Sequence, residues 1–332
     1  MLLALLGGAS AASNLPPSLP PASPSQPPPP APPCTVDMLK QRPAGDKSWP
    51  IACSQTALGT ADEELDLSDA HLSYGDFKDA TFTAAGAIRL NGAGLANADL
   101  SGSTLTASDP YGDYSGATID FAGADLTNAD LSGSVLSTSA LGASTIKFTD
   151  ANLTNASLSG SKLSASATSY DNGDGDASID FAGAILASAD LSDSELTADG
   201  DNDATIGFTE ANLANADLSG SNVRATARYG DATIAFIKAD LTHAELSGTE
   251  LKVQTTSIEN KGDATIDFSE AKLANADLGG LKLDASLGDS QGVLTIKGLP
   301  PSLPPLPPSH LPLPPPSQPP PPAPPCTVDM LK

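Results

Sequence analysis

From Leu65 to Leu283, large apolar side chains recur every five residues in a phrase that reads small, any, large, polar, any. Ala93-Gly94-Leu95, Ala98-Asp99-Leu100 and Ser103-Thr104-Leu105 follow in register, as do Ala124-Asp125-Leu126, Ala129-Asp130-Leu131 and Ser134-Val135-Leu136. A period of five matches neither the alternation of a strand nor the 3.6-residue turn of a helix. It suits a square coil: each side turns one Leu or Phe inward, tucks a small residue beside the corner and leaves the other positions to water. Four sides close a coil, and coils stack through strand-like hydrogen bonds about 4.8 Å apart.

After every fourth phrase comes an insertion, and then a side of different form. These sides are Thr118-Ile119-Asp120-Phe121, Thr145-Ile146-Lys147-Phe148, Ser178-Ile179-Asp180-Phe181, Thr205-Ile206-Gly207-Phe208, Thr233-Ile234-Ala235-Phe236 and Thr265-Ile266-Asp267-Phe268. Successive Ile at 88, 119, 146, 179, 206, 234, 266 and 296 lie 27 to 33 residues apart. The pattern predicts seven full coils from Ile88, preceded by one around Leu67, Leu72, Phe77 and Phe82, with a last partial side at Ile296. The insertions read as hairpins or widened corners on one edge, with Asn172-Gly173-Asp174-Gly175 the strongest turn signal.

The phrase resembles the pentapeptide-repeat family, whose signature is A-(D/N)-L-x-x. It recurs more than twenty times across about two-thirds of the chain. The resemblance implies an all-β fold, a right-handed quadrilateral β-solenoid. The regular insertions depart from the family's pattern, and variable loops on a constant scaffold are where specificity would sit.

The string PSQPPPPAPPCTVDMLK stands at residues 24–40 and again at 316–332, an offset of 316 − 24 = 292. A proline tract followed by the same Cys-containing opening reads as a tandem array cut to one unit. The chain divides accordingly. Residues 1–14 are a signal peptide or the tail of a preceding module, 15–33 a linker, and 34–64 an N-terminal cap holding Cys34, Trp49 and Cys53. Residues 65–298 are the solenoid, 299–325 a second linker, and 326–332 the start of the next module. The linkers read as extended polyproline II, because proline fixes φ and removes the amide donor. They resemble the tracts of hydroxyproline-rich wall glycoproteins of plants and green algae. That resemblance implies O-linked sugars at Pro27, Pro28, Pro29, Pro30, Ser309, Pro314, Pro315, Pro316, Ser317, Pro319, Pro320, Pro321 and Pro322. A plain spacer is the bland reading.

Composition agrees with a thin-cored repeat. Only 4% of residues are aromatic while 39% are hydrophobic, too few large side chains for a globular core and too many for disorder. The formal charge of −24 repels nucleic acid and anionic membranes, and no apolar run reaches the roughly 18 residues of a membrane span. Each unit owns two Cys, 34 and 53, and the proline-rich context favours a disulfide between them over two free thiols; Cys326 is the next unit's copy of Cys34.

Candidate chemistry is sparse. His71, His243 and His310 are far apart, and no nucleophile–base pair, phosphate loop or zinc spacing occurs, so no enzymatic activity is expected. Asp171, Asp174 and Asp176, and likewise Asp199, Asp201 and Asp203, alternate with Gly or Asn as calcium loops do. Neither run reaches a distal bidentate Glu, which makes them weak candidates beside a solvated acidic turn; no other cofactor is expected. Asn152-Leu153-Thr154 and Asn155-Ala156-Ser157 match N-glycosylation acceptors, but fall where the repeat needs Asn anyway. The leading reading is an extracellular structural module whose partners are copies of itself, head to tail, and O-linked glycans. The alternatives are an acidic rod that mimics DNA and occupies a DNA-binding enzyme, and ice or glycan adhesion through the Thr-Ile ladder.

Overall fold

The computed structural model describes residues 34–44, 51–109, 116–169, 175–256, 262–288 and 292–299. Two nine-stranded parallel sheets run the length of one solenoid, and successive strands of each sheet belong to successive coils. The first sheet begins at Ala57–Gly59 and Thr81–Ala85, includes Val135–Leu141 and Lys162–Thr168, and ends at Lys282–Leu287. The second begins at Leu65–Asp66 and Ala87–Arg89, includes Ser144–Lys147 and Ala177–Asp180, and ends at Leu294–Lys297. Pairing never slips: Ile119 sits on Ile146, Ile146 on Ile179 and Ile179 on Ile206. At about 4.8 Å per coil the stack is close to 40 Å long.

Three corners of each coil are tight turns, and their chemistry explains the five-residue phrase. At one such corner the Asp99 carboxylate accepts the Ser101 amide at 2.9 Å and the Ser101 hydroxyl at 2.6 Å. Asp125 does the same for Thr127, and Asp130 accepts the Ser132 amide. A short acceptor two residues before a turning amide is the reason Asp or Asn precedes the inward Leu. The turn closes three residues beyond the inward Leu, with the Ala98 amide donating to the Leu95 carbonyl at 2.9 Å. Its third residue, Asn97, has φ 59°, as Asn128 and Asn155 do at 55° and 56°. Asn tolerates this left-handed conformation better than other non-glycine residues. The equivalent Asn side chains also bond from coil to coil, Asn155 to Asn128 and Asn128 to Asn97.

The interior is a set of columns. All eight Phe are buried, and six of them, Phe121, Phe148, Phe181, Phe208, Phe236 and Phe268, stack at 4.8–4.9 Å with planes within 5°. The low aromatic content is therefore concentrated where coil spacing matches ring stacking. Ile119, Ile146, Ile179, Ile206, Ile234 and Ile266 lie inward beside them, fully buried.

The fourth corner differs from the hairpin reading of the insertions. Strands of the two sheets run out and back without forming a ladder to each other, so each insertion adds a two-layered extension in place of a hairpin. Small side chains fill it: Ala107, Ala165, Ala167, Ala198 and Ala225 on one layer and Ala117, Ala177, Ala204 and Ala232 on the other are all buried. Where both layers carry hydroxyls they bond, Ser144 to Thr138 at 2.8 Å. Asn172, Gly173 and Asp174 lie outside the described residues.

The boundary at residue 65 also moves. Ala57–Gly59 already pairs with Thr81–Thr83, and Ala52 bridges Asp76, so the coil stack begins within the stretch read as cap. The helix Val36–Gln41 precedes it, with the Thr35 hydroxyl accepting the Met38 amide at 3.3 Å as N-cap. Cys34 and Cys53 are joined in a disulfide, with Cα atoms 5.3 Å apart. The proline tracts, the glycosylation candidates within them, Trp49, Cys326 and His310 lie outside the described residues.

Candidate functional site

The faces of the solenoid present three outward columns. The first is acidic: Asp76, Asp99, Asp130, Ser157, Asp190, Asp217, Glu245 and Asp277 bridge in sequence from coil to coil. Seven carboxylates thus stand in line at roughly 4.8 Å. The corner amides aim them: Asp190 accepts the Ser192 amide and hydroxyl at 2.9 and 2.6 Å, and Asp217 accepts the Ser219 amide at 2.8 Å. Among the described residues no Lys or Arg pairs with this column. The basic residues bridge other columns, as in Arg89–Glu64 at 2.9 Å, Lys272–Asp240 at 2.9 Å and Lys252–Asp284 at 2.8 Å. This column escaped the reading of the sequence, although the phrases Ala98-Asp99-Leu100, Ala129-Asp130-Leu131, Ala189-Asp190-Leu191, Ala216-Asp217-Leu218 and Ala276-Asp277-Leu278 are its signal.

The second column lines the rim of the two-layered extension. Asp176 accepts the Asp203 amide at 3.1 Å, Asp203 the Asp231 amide at 2.8 Å, and Asp231 the Asp263 amide at 2.8 Å. Asp263 accepts the Val293 amide at 2.7 Å. Two of the described calcium candidates, Asp176 and Asp203, thus cap the backbone of the next coil. Asp201 accepts the Ser169 amide at 2.9 Å and faces Arg228 at 3.5 Å, and Asp199 lies on the strand Glu195–Gly200. Asp171 and Asp174 lie outside the described residues. Among the described residues no group of three or more His, Cys, Asp or Glu is placed to hold a metal. The rim packs backbone on backbone: a Cβ at Gly262 would fall 2.0 Å from the Gly230 carbonyl oxygen, which is why Gly precedes Asp there.

The third column is hydroxylic. Thr118, Thr145, Ser178, Thr205, Thr233, Thr265 and Thr295 pair in register, each one residue before the Ile column. Ser178 donates to Thr145 at 3.1 Å. Asn152, in the first N-glycosylation match, turns its carbonyl oxygen to the Thr154 amide and hydroxyl at 3.1 and 2.7 Å, as a corner residue does. His71 and His243 sit in different coils.

Among the described residues, the surroundings of three carboxyls hold them below the usual 3.8. For Asp66 the Ser68 hydroxyl and amide are the main cause. For Asp240 it is the Thr242 hydroxyl, followed by Lys272. Burial pushes Asp267 up, but bonds from Lys297 and Ser269 outweigh it and hold it low. A groove of about 350 Å³ lies on the second sheet between Glu64, Arg89, Asp120 and Lys147. Its charges alternate in sign and hold no nucleophile–base pair.

The two ends differ in kind. At the N-terminal end the Arg42 guanidinium donates to the His71 and Ser73 carbonyls at 2.9 and 3.0 Å. One coil on, the equivalent carbonyls of Gly94 and Ala96 accept the amides of Leu72 and Tyr74. Arg42 thus stands where the amides of a preceding coil would donate, and Leu39 lies in the interior with no exposed surface. At the C-terminal end the equivalent amides, those of Leu273 and Asn275, meet no acceptor among the described residues. Leu273, Leu278, Leu281, Leu283 and Ile296 are only partly covered there, and Val293 and Leu294 are 61% and 41% exposed.

Residues 119–140 match the family profile of pentapeptide repeats (8 copies). No curated protein matches the chain. Among solved structures, the chain is similar to HetL, a pentapeptide-repeat protein involved in heterocyst differentiation regulation from the cyanobacterium Nostoc sp. strain PCC 7120. The identity is 24%, over 70% of this chain and 88% of that one, with a TM-score of 0.23. It is also similar to full-length QnrB1, a plasmid-mediated fluoroquinolone resistance protein, at 17% identity over 70% of this chain and 92% of that one, with a TM-score of 0.19. Superpositions this loose say nothing about function. The chain carries pentapeptide repeats, and their unbroken register builds a β-solenoid.

Proposed function

We propose that the solenoid is a rigid, non-catalytic rod, one unit of an extracellular array in which copies are joined head to tail by proline-rich, O-glycosylated tracts. The observation that carries this reading is the 17-residue identity at residues 24–40 and 316–332. Its last seven residues, Cys34–Lys40, belong to the N-terminal cap of the rod. A second copy of cap residues behind a proline tract is what a following module requires. If extended as polyproline II, at about 3.1 Å per residue, a linker over 299–325 would span roughly 80 Å. Head-to-tail connection without closure makes a fibre. Among the described residues no helix is long and apolar enough to cross a membrane. The test is imaging and intact mass of native material. Filaments and masses above the bare sequence are expected; dispersed, unmodified monomers overturn the reading.

A second reading, an acidic rod that occupies a DNA-binding protein, is favoured by the carboxylate column from Asp76 to Asp277. Seven aligned charges without cationic partners present to a basic groove what a phosphate backbone presents. Its mark is salt-sensitive binding to a basic DNA-binding domain that a Lys substitution at Asp130 and Asp190 abolishes.

A further inference from the structure

The N-terminal helix, opened by its N-cap Thr35, is joined to the solenoid by two devices: the buried Leu39 and the Cys34–Cys53 disulfide. On the solenoid side Cys53 is the bonded partner, and Ile51 and Leu58 are buried in the same core cluster as Leu39. On the helix side, the cap and both devices fall within the seven residues CTVDMLK. The same seven residues recur as Cys326–Lys332, with Thr327 and Leu331 in the places of Thr35 and Leu39. The helix is thus a ligand held in cis, and the chain carries its ligand twice.

We propose that the N-terminal end of the solenoid is a docking seat for this segment, and that Cys326–Lys332 of one chain occupies the seat on a second copy, linking copies head to tail. This deepens the array reading and rests on it. The covalent step is thiol–disulfide exchange. The Cys326 thiolate attacks Sγ of Cys53 in the Cys34–Cys53 bond; a Cys53–Cys326 bond forms, and Cys34 leaves as a thiolate that takes up a proton. One disulfide is lost and one gained, so no oxidant is consumed. The incoming segment matches the outgoing one side chain for side chain, so relative concentration sets the direction. In dilute solution the tethered segment wins, at an effective concentration of roughly millimolar. Packed side by side in a fibre, the C-terminal segment competes.

The test uses the full chain carrying Cys34→Ser, which leaves Cys53 and Cys326 as its two cysteines. In a glutathione redox buffer, non-reducing gels should show a ladder of multiples that grows with protein concentration, and peptide mapping should find Cys53–Cys326 between chains. Adding Leu331→Asp should lower that yield about tenfold or more, because the buried Leu contributes most of the docking energy. A predominance of Cys326–Cys326, a ladder indifferent to Leu331→Asp, or Cys53–Cys326 confined to single chains overturns the proposal. Should Cys34→Ser fail to fold, the wild-type chain with a synthetic CTVDMLK peptide serves. Peptide attached at Cys53, and lost when Asp replaces its Leu, supports the seat; attachment at Cys326 alone overturns it. Filaments in native material without any Cys53–Cys326 bond would sink this inference and leave the array standing. Exchange in the recombinant chain alongside dispersed native monomers would sink the array.

Discussion

The two ends of the solenoid solve the same problem in opposite ways. Every coil in the middle gives its amides and carbonyls to neighbours on both sides, and among the described residues each terminal coil has a neighbour on one side only. At the N-terminal end Arg42 supplies the absent donors, Leu39 plugs the interior and a disulfide holds both in place. At the C-terminal end the Leu273 and Asn275 amides meet no acceptor among the described residues, and five large apolar residues are only partly covered. An open strand edge invites another chain. A repeat array transmits stability only between neighbours, so the difference between its ends should be measurable as a gradient.

The largest expected effect comes from emptying the plug. Leu39→Ala should cost about 2–5 kcal/mol, as for other fully buried Leu, whereas Leu278→Ala, already partly exposed, should cost about 1 kcal/mol or less. Denaturant unfolding of the two variants checks this, and equal losses would erase the distinction. Reducing the Cys34–Cys53 bond, which closes a 19-residue separation, should remove roughly 3 kcal/mol. Calorimetry with and without reductant measures it, and the C-terminal coil should be indifferent. Arg42→Met keeps the stem but strands the His71 and Ser73 carbonyls, at a cost of about 1–3 kcal/mol. The midpoint of urea unfolding should fall with an unchanged slope.

The smallest effect is acid loosening at the open end. Asp240 and Asp267 bond Lys272 and Lys297 of the next coil, and both titrate below 3.8. A carboxyl with a lowered folded pKa stabilises above its unfolded value and loses that contribution as pH falls through the folded one. The last coil should therefore loosen only below about pH 4, seen as faster local exchange there. Asp66 is lowered as well, but it lies behind the disulfide, where protonation should release less.

Much of this was legible in the chain, for a physical reason. The inward Leu, Ile and Phe are set by spacing alone, so the columns through Leu95, Ile146 and Phe208 follow from counting. The tandem identity is likewise a fact of letters. What escaped depends on the coil existing first. Arg42 has meaning only once the His71 and Ser73 carbonyls point outward from a first coil. The alternating Asp near residues 176 and 203 look like a metal loop in one dimension; stacking turns them into acceptors for the amides of the coil above. The insertions carry a hairpin's turn residues, yet neighbouring coils offer parallel partners in perfect register, and each strand pairs with its equivalent instead of with itself.

Hydrogen–deuterium exchange resolved along the chain tests the asymmetry most directly. Amides of the first coils, around Leu67–Phe82, should be protected to the same degree as those of the central coils near Phe181. Protection should then decline steadily through Leu273–Leu283 to the last strand at Leu294–Lys297. Equal protection at both ends, or fraying that begins at Ala57–Gly59, would contradict a rod closed at one end and open at the other.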